Sequence, residues 1–216
     1  MDMFLFMILF LPLVSIYLCL RSSDKSVIVV SLTGFVFGVI ECLFIALFSY
    51  MHKVLENSFV LILLHFLLSK NFLPVLFAFL IYFFMTKDST VFRIKSFFPF
   101  AVAFYAVYVP YFVIASDGVV YSFFDLFLHP LLIFSMLFLA ATYLYKIYNF
   151  VVQKNIVKIV IFSFILLLVF VIPTIFETMI YMKCFTLFVY AFVVAYILLG
   201  VILFFISVRK CNSVLL

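Results

Sequence analysis

The sequence has few of the charged residues that a soluble domain needs. Only 10% of its 216 residues are charged and 71% are hydrophobic, with a mean hydropathy of +1.51, whereas a soluble domain is about half apolar and a quarter charged. The polar stretches between the apolar runs are short, so none of them can form a soluble core. The composition therefore predicts one all-α, multi-pass transmembrane domain over residues 1–216, with no soluble domain.

The motifs of several chemistries are also missing. The four cysteines have no CxxC spacing and there is no HExxH, so we expect no zinc or other metal site and no dithiol reaction. A P-loop, a Rossmann fingerprint and a haem-attachment motif are absent, so we expect no cofactor and no nucleotide-binding site of its own. The net charge is +5, but the basic residues are spread over several loops, which predicts no nucleic-acid partner.

Seven apolar runs are long enough to cross a bilayer, which takes about 20 residues of helix. The first run follows an acidic N-terminus without a basic region or a cleavage pattern, so we expect a retained span and not a signal peptide. The predicted spans cover residues 3–20, 27–50, 59–85, 97–116, 129–145, 156–176 and 185–208.

Loop charge predicts the orientation of these spans. With seven crossings, the side opposite to the N-terminus holds ten of the 13 basic residues, namely Arg21, Lys25, Lys87, Arg93, Lys95, Lys146, Lys154, Lys158, Arg209 and Lys210. The other side holds Lys53 and Lys183, while Lys70 lies inside the third run. Because loops rich in Lys and Arg stay in the cytoplasm, we expect an outside N-terminus and a cytoplasmic C-terminus, in a bacterial inner membrane.

The third run is interrupted by Lys70, Asn71 and Pro74. Two short segments joined by a tight hairpin would place the loop at 87–95 outside and destroy the charge asymmetry, so we predict one crossing. A continuous helix would be about 40 Å long, and Pro74 removes a backbone donor. We therefore expect a tilted span or a break near Asn71–Pro74, with a partly re-entrant segment as the alternative.

Polar groups on the second run give the first candidate site. Ser31, Gly34, Gly38 and Glu41 share one helix face, and two glycines four residues apart allow close helix packing. A charge in the centre of a membrane costs at least ~2.5 kcal/mol, so Glu41 requires a partner or a role. His65 lies at a similar predicted depth and Lys70 near the midplane. Glu41 is either one half of a structural pair, or a site for a proton, an ion or a substrate.

A second candidate lies in a polar connection at about 121–129. If this stretch is a short interfacial helix, Tyr121, Ser122, Asp125 and His129 line one of its faces. Asp125 and His129 could share a proton or supply two metal ligands, but two ligands do not make a metal site. The alternative is an amphipathic lid whose polar groups face water.

These observations leave three classes of function. A non-enzymatic subunit, scaffold or assembly partner that docks to other membrane subunits within the lipid bilayer requires only the Gly34–Gly38 face and an apolar surface, and we place it first. The alternative is a transporter component for a small solute or an ion that uses Glu41, His65 and Lys70, although four glycines are few for such a protein. An intramembrane enzyme comes third, because no catalytic motif is present.

Overall fold

The computed structural model describes residues 2–22, 25–49, 58–86, 96–115, 122–184 and 186–210, and every regular element among them is helical. Six helical stretches are long and apolar enough to cross a membrane, which confirms a multi-pass helical architecture. Tyr121 and the loop residues Lys53, Lys87, Arg93 and Lys95 lie outside the described residues. The helices are α1 (Asp2–Arg21), α2 (Ser26–Ser49), α3 (Phe59–Phe66), α4 (Leu73–Thr86), α5 (Phe97–Ala115), α6 (His129–Val152), α7 (Ile156–Tyr181) and α8 (Thr186–Lys210).

The third predicted span is one uninterrupted helical stretch, Phe59–Thr86. It is not broken at Asn71–Pro74, because the π-helical turn Leu67–Phe72 joins α3 directly to α4. In this turn the backbone N–H of Leu73 donates to the carbonyl of Leu68, five residues earlier. Pro74 has no N–H for an α-helical bond, and a wider turn before it lets the helix continue without a hairpin.

The predicted interfacial segment at 121–129 is not a separate helix. The π-helical turn Phe124–Leu128 runs without a break into α6, and the N–H of His129 donates to the carbonyl of Phe124. Ser122 and Asp125 form a capping box, in which the Asp125 carboxylate accepts from the Ser122 backbone at 3.1 Å and the Asp125 N–H donates to the Ser122 hydroxyl at 3.2 Å. This cap satisfies backbone donors at a helix start. The helical stretch that continues into α6 therefore begins just after Ser122.

Contacts within the chain form two compact units. The first contains the described residues of Met1–Leu55 and Ala78–Phe134. Helices α1 and α2 both pack on α5 in this unit. Helix α5 is buried on nearly all sides, and its Phe100 and Phe104 side chains are fully covered. A helix that is apolar all round is the kind that occupies the centre of a bundle.

The second unit contains the described residues of Glu56–Phe77 and Ser135–Lys210. Helix α7 packs on α3, on the turn Leu67–Phe72 and on α8. Gly200 of α8 lies against the side chain of Ser135, whose hydroxyl donates to the carbonyl of Ile197 at 3.2 Å. A small residue therefore allows the close approach of α6 and α8.

The connection between α6 and α7 is a three-residue turn that ends α6 with a Schellman motif. Lys154 has a φ of 55°, and the N–H of Asn155 donates to the carbonyl of Phe150 at 3.0 Å. The Asn155 side chain then accepts from the N–H of Lys158 and caps α7. One short segment thus closes one helix and opens the next.

Candidate functional site

The two glycines of the second span lie inside the first unit and face α5. A Cβ atom added to Gly34 would collide with the carbonyl of Phe100, and one added to Gly38 would lie 2.6 Å from the carbonyl oxygen of Phe104. The main chains of α2 and α5 are therefore in close contact along this face. Because the face is used within the chain, it is not available to a helix of another protein.

Glu41 lies at the edge of this face, in the same unit. Cys42 is buried four residues after Gly38, whereas Glu41 is only partly covered. The Tyr108 hydroxyl of α5 and the Cys42 thiol are near enough to interact electrostatically with the Glu41 carboxylate. A phenol and a thiol are thus among the groups near Glu41 within its unit.

His65 and Lys70 belong to the second unit, where both lie beside the ring of Phe66. The Lys70 ammonium is 4.2 Å from the centre of this ring, and the His65 ring centre is 6.0 Å from it. The ammonium position is that of a cation–π contact. His65 is exposed on α3.

Asp125 and His129 both lie where the helical stretch of α6 begins. The Asp125 carboxylate is bound to the main chain and the hydroxyl of Ser122. His129 is buried against the ring of Phe124, with ring centres 5.9 Å apart. Their positions are explained by the start of α6. Among the described residues, no group of three His, Cys, Asp or Glu side chains is placed to hold a metal ion.

A buried polar cluster forms where α7 meets the π-helical turn of the third span. The Asn71 side-chain amide donates to the Thr174 hydroxyl at 2.9 Å and to the Glu177 carboxylate at 3.4 Å. Asn71 and Thr174 are fully buried and Glu177 is 4% exposed. We call these three residues the Glu177 cluster. It places an ionisable group inside the protein, which is costly unless that group is hydrogen-bonded.

The helix around the cluster is also organised by side chains. The Thr174 hydroxyl donates to the carbonyl of Phe170 at 2.7 Å, and the Thr178 hydroxyl donates to the carbonyl of Thr174 at 2.8 Å. The Thr174 hydroxyl also accepts from the Asn71 amide, so it uses both its donor and its acceptor. The Thr174 side chain of the Glu177 cluster is therefore held by two hydrogen bonds.

Aromatic pairs lie on both sides of the Glu177 cluster along the same two helical stretches. Phe72 packs edge-on against Phe170, and Phe66 packs edge-on against Tyr181, each with ring centres 5.6 Å apart. These contacts pack the two helical stretches together on either side of the cluster. Glu177 is four residues before the end of α7, which is about 6 Å of helix. The carboxyl group is therefore buried in protein but close to one end of its span.

The predicted span ended at residue 176, just before Glu177. Helix α7 continues to Tyr181, so Glu177 is a residue of the helix. The spacing of Thr174, Glu177 and Thr178 at three and four residues was a signal that all three share one face of α7. No protein-family model matches the chain, and neither does any curated protein sequence or solved structure.

Proposed function

We propose that the chain is a component of a membrane transport system and that the Glu177 cluster binds the transported ion, a proton or a small monovalent cation. The observation that carries this proposal is the buried contact between the Asn71 amide and the Glu177 carboxylate. Ionisable groups are rarely kept inside a membrane helix, and they most often belong to ion pathways and proton relays.

The position of Asn71 in a π-helical turn supports the same function. Such turns are rare and occur frequently at functional sites. The Glu177 carboxylate and the Thr174 hydroxyl carry oxygen atoms, which are ligands of the type that hard cations prefer. A proton would instead bind the carboxylate directly. Because Glu177 lies close to the end of α7, the ion would reach the Glu177 cluster from that end of the helix.

The proposal is tested by ion flux in liposomes that contain the purified protein. We expect an imposed pH or sodium gradient to decay faster than in protein-free liposomes, and Glu177→Gln to abolish the difference. Glu41→Gln is the matched control, because it removes a partly covered carboxylate from another unit. If the wild-type protein carries neither ion, or if both variants retain its flux, the function is not ion transport at Glu177.

We also propose seven spans, with α5 as the seventh beside the six longer stretches. Helix α5 has 19 residues, which corresponds to about 28 Å and matches the hydrocarbon thickness of a bilayer. Seven crossings give the charge asymmetry described above, with an outside N-terminus in a bacterial inner membrane. A membrane-impermeant thiol reagent applied from outside should then label Cys184 and spare Cys211. Labelling of Cys211 but not of Cys184 would indicate the opposite orientation.

A second candidate function is that of an assembly partner, and one observation favours it. No side chain from Ile156 to Leu168, the first half of α7, is buried, and the hydroxyl-bearing Ser163 is exposed there. Small and polar residues on a lipid-facing surface are typical of contacts between membrane helices. If this surface docks to another subunit, that subunit should copurify in mild detergent and be lost with Ser163→Trp. A wild-type protein that purifies alone would contradict this function.

A further inference from the structure

A groove on the first unit has the features of a lipid site. It lies among α1, α2 and α5 and has a volume of about 280 Å³. We propose that the groove binds one acyl chain of an anionic phospholipid, whose phosphate is held by Arg21 and Lys25. This inference concerns residues outside the Glu177 cluster and does not depend on the transport function.

The walls of the groove are apolar over most of their extent. Pro12 and Ile16 come from α1, Leu32 and Phe35 from α2, and two small residues of α5, Ala103 and Ala106, leave the space between the helices open. The polar side chains in the wall are Ser15, Cys19 and Ser31, and the Cys19 thiol donates to the Ser31 hydroxyl at 3.5 Å.

The groove has room for a small apolar group. Its volume of about 280 Å³ is roughly twice the ~150 Å³ of an engineered protein cavity that binds one benzene molecule. A bilayer presents flexible hydrocarbon chains to any membrane-spanning surface, and such a chain is an apolar occupant that this groove would meet in the membrane.

Two basic residues lie at one end of the groove. Leu20 is the last groove residue on α1 and directly precedes Arg21, while Ile28 on α2 is one turn after Lys25. Both basic side chains are exposed, and the Arg21 guanidinium donates to the Tyr17 hydroxyl at 3.1 Å. This bond fixes the guanidinium beside α1 and leaves other N–H donors for a phosphate. Basic residues next to a span attract anionic lipids.

The test counts lipids that remain bound after extraction. The protein is incorporated into vesicles of equal phosphatidylglycerol and phosphatidylcholine, released in mild detergent and weighed by native mass spectrometry. We expect the wild type to retain one phosphatidylglycerol in preference to phosphatidylcholine. The double variant Arg21→Gln/Lys25→Gln should lower that preference by about fivefold for each charge removed. Ala106→Leu fills the groove and should prevent retention of either lipid.

Two further variants serve as a control for charge and as a second way to block the groove. Lys154→Gln/Lys158→Gln removes two basic residues, one from the turn between α6 and α7 and one from the first turn of α7, and should leave the preference unchanged. Leu32→Trp changes a residue at the groove that is 62% exposed, so it blocks the groove even if Ala106→Leu fails to fold. Equal retention of both lipids by the wild type would overturn the proposal. An equal loss of preference in both charge variants, or full retention by Leu32→Trp, would also overturn it.

Discussion

Replacing Gly38 with alanine should push α2 and α5 apart. The added Cβ would lie 2.6 Å from the Phe104 carbonyl oxygen, and ordinary contact begins near 3.4 Å, so the two helices must separate by about 0.8 Å. The obstructing atom belongs to the main chain, so a change of rotamer cannot relieve the clash. Overpacking of this kind costs about 1–3 kcal/mol. Gly34→Ala meets the Phe100 carbonyl on the same helix and should have a similar effect.

The loss of stability can be measured by thermal unfolding in mild detergent. For a chain of this length each kcal/mol lowers the midpoint by roughly 2–4 °C, so we expect a fall of about 2–12 °C for either glycine variant. The midpoint of the double variant should fall by less than the two single falls added together, because one movement of α5 relieves both clashes. Val36→Ala is the matched control, since Val36 is on the exposed side of α2 and 54% exposed. If both glycine variants unfold at the same temperature as the wild type, α2 and α5 are not in main-chain contact.

Two other predictions concern the ends of helices. Lys154→Gly should raise the free energy of unfolding by about 0.5–1 kcal/mol, because the φ of 55° at this position suits glycine. Thermal unfolding measures the gain, and Gln153→Gly, at a position without positive φ, should lower stability. Ser122→Ala removes the hydroxyl that accepts from the Asp125 N–H and should destabilise the start of α6 by about 1 kcal/mol. Hydrogen exchange at the Asp125 amide should then accelerate about fivefold, and an unchanged rate would contradict the capping role.

The helical architecture could be predicted because it follows from the length and apolarity of the runs. A chain with this composition can satisfy its backbone in a bilayer only as helices or as a closed barrel. The spacing of Gly34 and Gly38 identified a close-packing face from the sequence, but the sequence does not specify which helix lies against it. The structure supplies that partner, the main chain of Phe100 and Phe104. Gly200, which has no second glycine near it, gave no such signal and nevertheless lies against Ser135.

The end of α7 and the shape of the third span could not be predicted from hydropathy. Thr174, Glu177 and Thr178 lower the local hydropathy, so the predicted span stops before Glu177. Their hydroxyl and carboxyl groups are bonded inside the protein, and the helix continues. Pro74 likewise indicated a break, but the π-helical turn accommodates it and carries Asn71 to the Glu177 cluster. These are tertiary contacts between residues about 100 positions apart, which local patterns do not encode.

The most direct test of the central claim is chemical modification of Glu177 itself. An apolar carbodiimide reacts with protonated carboxyl groups inside membranes, and mass spectrometry locates the product. If the Glu177 cluster exchanges an ion with the medium, Glu177 should be labelled, and labelling should slow when the pH is raised or when a monovalent cation is added. Labelling that does not respond to either change, or no labelling of Glu177 at all, would contradict the account and make the carboxyl group a static part of the helix contact.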